Sequence, residues 1–246
     1  MDEQATKTKR PGRRTAASAG SDVSTADPNG EGDLAIDRGN ASGRATRELL
    51  VRTAERLFAE RGIAAVSLRE VGQAAGQRNN AATQYHFRDR SGLVRAVFQY
   101  RVPELNDGRL KLLAALDERG EGDDPIALVG AMIASMAEHL TDDDNHYVGF
   151  YARYQVEHGG MAWEDDITPW QAYMGSYHLL HERLRGLTPH LSDEVFEHRY
   201  RLVNEWLIYA LSHYRRSLHR RRDLKELDAY CADLTQTLWA ALSAPS

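Results

Sequence analysis

The sequence contains a single cysteine, Cys231, and no apolar run near the roughly 20 residues that a membrane span requires. One cysteine excludes an internal disulfide and is typical of a reducing compartment. Residues 1–14 are basic, but no apolar stretch follows them, so a signal peptide is not predicted. We therefore expect a cytoplasmic protein that does not associate with a membrane.

Residues 1–43 contain no aromatic residue and are rich in Gly, Ala, Ser, Thr and Asp. Such a composition buries too little apolar surface to offset the entropy of ordering, and it predicts a disordered tail over residues 1–43. The basic residues near its start either remain solvated, which is the commoner case, or add contacts to a polyanion. These residues are Lys7, Lys9, Arg10, Arg13 and Arg14.

Residues 44–101 lack lysine, yet they hold eleven arginines against five acidic residues. The following residues, 102–246, carry a net charge of −10, and the whole chain carries −5. A short basic block on an acidic body favours binding of a polyanion by that block alone. The alternative is a helical segment whose arginines are simply solvated.

No stretch of the sequence shows the alternation of apolar and polar residues that is typical of a half-buried strand. Apolar residues instead recur every three or four positions, and we predict an all-α fold. The first such stripe contains Leu50, Ala54, Leu57 and Phe58. Gly62 follows as a residue that can take the left-handed conformation at a helix end.

A second helix start is marked by Ser67 and Glu70, which have the spacing of a capping box. This helix is predicted to stop at Gly76, and a short polar helix fits residues 80–86. Helix, glycine-containing turn and second short helix form a helix-turn-helix. Further along the chain, Pro103 predicts a break or kink.

Residues 46–93 resemble the tetracycline-repressor (TetR) family of transcriptional regulators. The stretch reads TRELLVRTAERLFAERGIAAVSLREVGQAAG, followed by Tyr85-His86-Phe87, then Arg90 and Leu93. The family shares the Leu-Phe helix, the glycine, the capped second helix, the Ala-Gly turn and a tyrosine-rich recognition helix ending in His-Phe. The resemblance covers about a fifth of the chain. It implies an N-terminal three-helix helix-turn-helix domain over residues 44–101 and a C-terminal helical effector-binding and dimerisation domain over residues 102–246.

Three features depart from the family pattern. Gly72 replaces a small apolar residue, usually Ala, and glycine costs about 0.5–1 kcal/mol relative to Ala inside a helix. The segment 77–84 is one residue longer than the usual spacing, which affects the exact base-contacting positions. Arg90 stands where the family usually has Lys and keeps the charge.

Residues with paired donors and acceptors read base edges in the major groove. Asn79, Asn80 and Gln84 can present amides to adenine, and Arg78 can fork to guanine. Either asparagine alone is equally well explained as a helix cap. The resemblance places other residues against phosphates, which set register rather than sequence. These are Thr83, Tyr85, His86 and Arg90. Ser67, at the N-terminus of the second helix, can add a phosphate contact beside its capping role, and the helical phase of Arg69 favours a position facing DNA. The alternatives are that Arg69 faces water and that Phe87 and the Tyr85 ring belong to the core.

The resemblance also implies a homodimer on a near-palindromic, double-stranded DNA operator, paired through helices at about 192–218 and 226–243. Aromatic and methionine side chains in the preceding helices are typical of a pocket lining, although such stripes are more often plain core. The predicted pocket for an unknown small-molecule effector contains Met136, Tyr147, Tyr151, Tyr154, Trp170, Tyr173, Met174 and Tyr177.

These features favour a sequence-specific DNA-binding regulator, as a repressor that a small molecule releases from its operator. A second hypothesis is a DNA-binding regulator without a small ligand, controlled by a protein partner. A third is a helical enzyme or metal protein, for which His178, His181 and Glu182 are the metal candidates. The sequence contains no phosphate-binding glycine loop, nucleophile elbow or HExxH motif. We therefore predict no catalytic residue, no metal and no cofactor.

Overall fold

The computed structural model describes residues 41–77, 81–159, 174–220 and 226–245. Every regular element within these residues is an α-helix, which confirms the predicted fold class. None of the helices in the described ranges is long and apolar enough to cross a membrane. The helices are α1 (Ala41–Arg61), α2 (Leu68–Ala74), α3 (Ala81–Phe87), α4 (Arg90–Glu118), α5 (Pro125–Ala137), α6 (Tyr147–His158), α7 (Gly175–Gly186), α8 (Asp193–His219) and α9 (Leu227–Ser243).

Helix α1 is buried along the predicted stripe, where Leu50, Ala54 and Phe58 have no exposed surface. It packs on α2, α3, α4 and α6, so one helix joins the helix-turn-helix to the C-terminal helices. Phe58 and Phe150 of α6 stack with their ring centroids 6.0 Å apart. Burial of large apolar side chains on both sides of this contact stabilises α1 against α6.

The turn between α1 and α2 follows local sequence rules. Gly62 has a φ of +89°, and its amide donates to the carbonyl of Phe58 at 2.9 Å. Ser67 caps α2 through the predicted capping box with Glu70. Gly76 also has a positive φ, +71°, directly after the end of α2. The predicted start and stop signals of this helix are therefore confirmed.

Helix α4 continues through Pro103, so the predicted break at this proline is wrong. Proline removes the amide that would bond to the carbonyl of residue 99, but the flanking turns remain helical. The helix starts beside α3, with Asp89 as its cap, and contacts α1, α5 and α7 along its length. One helix therefore extends from the predicted DNA-binding segment into the C-terminal helices.

The C-terminal helices α8 and α9 pack on each other, and they also contact α6 and α5 respectively. Tyr214 and Tyr230 lie ring to ring at 4.6 Å, and the Tyr230 hydroxyl donates to the carbonyl of Ala210 at 3.0 Å. Cys231 is half-buried on α9, and burial raises the pKa of its thiol. A neutral, partly covered thiol is consistent with packing.

Candidate functional site

The helices α2 and α3 approach each other closely at Gly72 and Thr83. Thr83 is fully buried, and a methyl group at Gly72 would lie 2.7 Å from its Oγ1. Glycine at position 72 is thus required by the close approach and is not only a loss of helix propensity. The prediction that Thr83 contacts a phosphate is wrong, because its side chain faces α2 and not solvent.

The face of α3 opposite Thr83 is open to solvent. Gln84 is exposed, Tyr85 is 83% exposed and His86 is half-buried. The alternative that the Tyr85 ring belongs to the core is therefore wrong, whereas Phe87 is buried beneath the guanidinium of Arg47. Gln84, Tyr85 and His86 are therefore neighbours on the solvent-facing side of one short helix.

The side chains around α2 are tied to one another. The Ser67 hydroxyl donates to Glu70 Oε2 at 2.8 Å and accepts from the Glu70 amide at 3.2 Å. Arg61 pairs with Glu70 at 2.7 Å, and this hydrogen bond, with those from Ser67, lowers the pKa of Glu70 to about 2. A phosphate that contacts Ser67 would share its hydroxyl with an ionised carboxylate. The main role of Ser67 in this structure is therefore to cap α2.

Beside Tyr85 and His86, two further predicted phosphate contacts lie at the surface. Arg69 is exposed on α2. Arg90 is also exposed, although its Nε donates to the carbonyl of Val66 at 3.0 Å and so ties the start of α4 to the start of α2. Arg78, Asn79 and Asn80, which were predicted to read bases, lie outside the described residues.

A buried ion pair connects α1, α4 and the start of α6. Glu55 is fully buried and accepts from Arg101 through both oxygens, at 2.7 and 3.0 Å. Its Oε1 also accepts from the backbone amide of His146 at 2.7 Å. Sequence reasoning missed this pair, although the position of Glu55 beside the buried stripe of α1 is the signal that could have found it.

A second carboxylate joins α6 to the turn that precedes α2. Glu157 accepts from the amides of Ile63 and Ala64, at 2.8 and 2.7 Å. A β-carbon at Gly62 would lie 2.7 Å from Glu157 Oε1, so the glycine leaves room for this carboxylate. Helix α6 therefore holds the helix-turn-helix at two separate points.

The predicted aromatic pocket residues of α6 are packed against Phe98 of α4. Ring centroids of Tyr147, Tyr151 and Tyr154 lie 5.1–6.1 Å from that of Phe98 in edge-on contacts. All three tyrosines and Met136 are buried. Within the described residues this cluster is core packing, which is the alternative that the sequence left open. Trp170 and Tyr173 of the predicted pocket lie outside the described residues.

Met174 and Tyr177, the other two predicted pocket residues, do line a cavity. It has a volume of about 40 Å³ and lies between α4 and the start of α7. Its remaining lining residues are Val102, Leu105, Asn106, Arg109 and Ser176. Arg109 was not predicted, although it lies in phase with the apolar residues Leu105 and Leu113 of α4.

A larger recess of about 260 Å³ lies between α4 and α5. Alanine and leucine side chains form most of its lining, and its charged residues Arg119 and Glu121 pair with each other at 2.8 Å. It offers apolar contact but no convergent polar groups, whereas specific ligand sites combine the two.

The two histidines considered as metal ligands lie on α7, one exposed to solvent and one in contact with α8. His178 is exposed on α7. His181 lies 2.7 Å from Glu197 Oε1 and packs edge-on against the rings of Phe196 and Tyr200. These contacts place His181 in the packing between α7 and α8.

Residues 50–97 match the family described as bacterial regulatory proteins, tetR family. The matched region begins within α1, includes α2 and α3, and ends in the first turns of α4. A comparison with curated proteins found no match to the chain.

Two solved structures share the fold at low sequence identity. One is a probable transcriptional regulatory protein, RHA5900, with 20% identity, a TM-score of 0.51, and coverage of 81% of this chain and 100% of its own. The other is NalD, the secondary repressor of the MexAB-OprM multidrug efflux pump in Pseudomonas aeruginosa. It has 18% identity, a TM-score of 0.51, and coverage of 82% of this chain and 98% of its own.

Proposed function

We propose that the chain is a DNA-binding transcriptional regulator of the tetR family, whose family model matches residues 50–97, and that it acts as a homodimeric repressor released from its operator by a small molecule. The observation that supports this proposal is a solvent-facing α3 on a scaffold that α6 holds at Glu55 and Glu157. A movement of α6 or α4 would change where α3 sits. The repressor role, the effector and the dimer are parts of this proposal.

The exposed face of α3 has the chemistry that a major groove requires. Gln84 offers a donor and an acceptor on one amide, which matches the edge of adenine. Tyr85 and His86 beside it, with Arg69 and Arg90 on the flanking helices, are suited to phosphates. Arginine supplies all the cationic side chains of residues 44–101, and it binds phosphate in a bidentate manner.

Gln84→Ala is expected to weaken binding to the specific operator by about 1–3 kcal/mol, because the amide pair with a base is lost. Binding to random duplex should change little, since phosphate contacts supply nonspecific affinity. Fluorescence anisotropy with both duplexes at one salt concentration measures the two effects. Gln236→Ala, which removes another exposed glutamine, on α9, is the matched control. An equal loss on both duplexes would remove Gln84 from base reading.

Helix α8 presents a surface suited to a second copy of the chain. Trp206 is 49% exposed and Tyr209 is 42% exposed, one turn apart on the same face. Leu202 precedes them by one turn and is half-buried. An exposed aromatic patch on a long helix is typical of a subunit interface, and two such helices related by a two-fold axis would cover it.

Trp206→Glu is expected to convert the dimer into monomers, because the substitution places two carboxylates near the two-fold axis and removes the largest apolar contact. Sedimentation velocity across a range of protein concentrations measures this change. Val156→Glu alters another exposed apolar residue, 60% exposed on α6, and should leave the dimer intact. A Trp206→Glu protein that still sediments as a dimer would move the interface away from this face of α8.

The route from an effector to the operator follows from the packing. The cavity is lined by α4 and α7, and α4 begins at the end of α3. Since α4 is one continuous helix, a ligand that changes its position at residues 102–109 also changes its start at residue 90. A coupling free energy of about 1–3 kcal/mol corresponds to a change in operator affinity of about 5–150-fold.

The proposed function is tested by recovering genomic DNA fragments that the purified chain binds. We expect a small set of near-palindromic fragments whose affinity falls steeply as salt is raised, because phosphate contacts release counterions. Equal binding to all duplexes, or affinity that does not depend on salt, would contradict a role as an operator-binding repressor.

A further inference from the structure

Arg109 is a buried guanidinium with few partners. Its side chain is 8% exposed and its Nε donates to Ser135 Oγ at 3.2 Å. Within the described ranges no carboxylate pairs with it. A guanidinium has five N–H donors and remains charged in proteins, and within the described residues only Nε has a hydrogen-bond partner.

Two other buried arginines show how the same fold satisfies such a group. Arg101 forms a bidentate pair with Glu55. Arg215, which is 6% exposed, donates to the carbonyls of His139, Leu140 and Asp143 at 3.1–3.4 Å. Among the described residues Arg109 has neither a carboxylate nor a set of carbonyls as partners, and it instead lines the cavity between α4 and α7.

Tyrosine side chains contribute to the electrostatic surroundings of Arg109. Four interact with it electrostatically: Tyr200, Tyr147, Tyr151 and Tyr177. Burial raises the pKa of Tyr147 and Tyr200, so their hydroxyls are neutral and can donate. The Tyr200 hydroxyl is buried beside Asn204 and forms no well-directed hydrogen bond within the part of the chain that the structure describes.

The start of α7 adds positive potential from the opposite side of the cavity. This twelve-residue helix begins at Gly175 and has no acidic residue in its first turn. The amide of Ser176, which lines the cavity, donates to Asn106 Oδ1 at 2.9 Å. The N-terminus of a helix favours anions, because its amides and its dipole point toward them.

We propose that the cavity between α4 and α7 binds the carboxylate of a small organic acid, with Arg109 as its cationic partner. This assignment deepens the proposed function, on which the role of the acid as effector rests. Arginine binds a carboxylate through two parallel hydrogen bonds, and Tyr177 brings a phenol to the same cavity. Val102, Leu105 and Met174 supply the apolar walls for the rest of the acid.

The size of the cavity suggests how binding of an acid would release the protein from its operator. A volume of about 40 Å³ holds a group little larger than one water, whose share of liquid volume is about 30 Å³. A carboxylate fits, and in this proposal the body of the acid displaces α7 from α4, so that occupancy changes the arrangement of these two helices.

The inference is tested by thermal unfolding of the full chain at one protein concentration, with benzoate and octanoate as probes. Benzamide and octanamide are their neutral counterparts. We expect at least one carboxylate to raise the Tm of the wild type by about 2 °C or more, since a ligand of the native state stabilises it. Its amide should leave the Tm unchanged. Arg109→Met should abolish the shift, and Arg109→Lys, which keeps the charge, should retain part of it.

Arg215→Met is the matched control, since it removes a buried arginine whose carbonyl partners account for it. Without any probe, Arg109→Met should raise the Tm by about 2–4 °C, because a poorly paired buried charge is removed. Arg215→Met should lower the Tm but keep the carboxylate shift. A large fall in Tm for Arg109→Met would overturn the proposal, because Arg109 would then be a structural residue.

The remaining outcomes also decide the matter. Equal shifts from a carboxylate and its amide, shifts that survive in Arg109→Met, or no shift from either carboxylate would each contradict an anion site at Arg109. Operator binding by the wild type is measured separately. Its failure would overturn the proposed function and leave the thermal result standing, whereas normal operator binding without carboxylate shifts would overturn only this inference.

Discussion

Glu55→Ala is expected to lower the free energy of unfolding by about 3–5 kcal/mol, because it leaves the guanidinium of Arg101 buried without its carboxylate. Glu55 has no exposed surface, and Arg101 is covered except for a small fraction. The substitution also removes the acceptor of the His146 amide at the start of α6. Three helices lose their common contact at once.

Urea unfolding at a fixed protomer concentration measures this loss, since the stability of a dimer depends on concentration. Arg52→Ala is the control, because the Arg52–Asp144 pair at 3.2 Å is exposed and such pairs contribute about 0–1 kcal/mol. The double variant Glu55→Leu/Arg101→Met should recover most of the loss, since both charges are gone and only the His146 amide lacks its partner. A loss of less than about 1 kcal/mol for Glu55→Ala would show that water or another group compensates Arg101.

Local sequence rules predicted the parts of the fold that depend on neighbours in the chain. Ser67 and Glu70 form the capping box that their spacing indicates, and Gly62 takes the left-handed conformation. The stripe of α1 is buried as its period predicts. Each of these features is decided by residues within one or two turns, so the sequence contains the whole cause.

The close approach of α2 and α3 depends on residues that are distant in sequence, and here prediction failed. From the sequence, Gly72 indicates only a loss of helix propensity, because its close contact with Thr83 is not visible there. From the sequence, Thr83 is predicted to contact DNA because it is polar, but its side chain is buried. The period of α3 alone does not decide which face of so short a helix turns inward.

Charged residues on buried faces carried the signals that sequence reasoning did not use. Glu55 adjoins the stripe of α1, and Arg109 lies in phase with Leu105 and Leu113 of α4. Sequence alone shows that such a charge needs a partner but not which partner it has. Glu55 has Arg101 from α4, whereas Arg109 faces a cavity.

Glu157→Ala is expected to lower the free energy of unfolding by about 3 kcal/mol, because two hydrogen bonds to a carboxylate are lost and each contributes about 1.5–3 kcal/mol. The amides of Ile63 and Ala64 precede α2, and the lost bonds join them to α6. The lower part of the combined range applies because Ala64 is exposed and water can replace Glu157 there.

The same variant should also weaken the control of the operator by an effector, since the turn before α2 then loses its hydrogen bonds to α6. Urea unfolding and operator titration with and without an acid that binds the wild type measure the two effects. Glu60→Ala, which removes an exposed i,i+4 pair with Arg56 on α1, should change stability by about 0.5 kcal/mol or less. Glu157→Gln should fall between the wild type and Glu157→Ala, because its amide keeps one acceptor oxygen. If Glu157→Ala unfolded at the wild-type urea concentration and kept full effector response, the carboxylate would have no part in joining α6 to the helix-turn-helix.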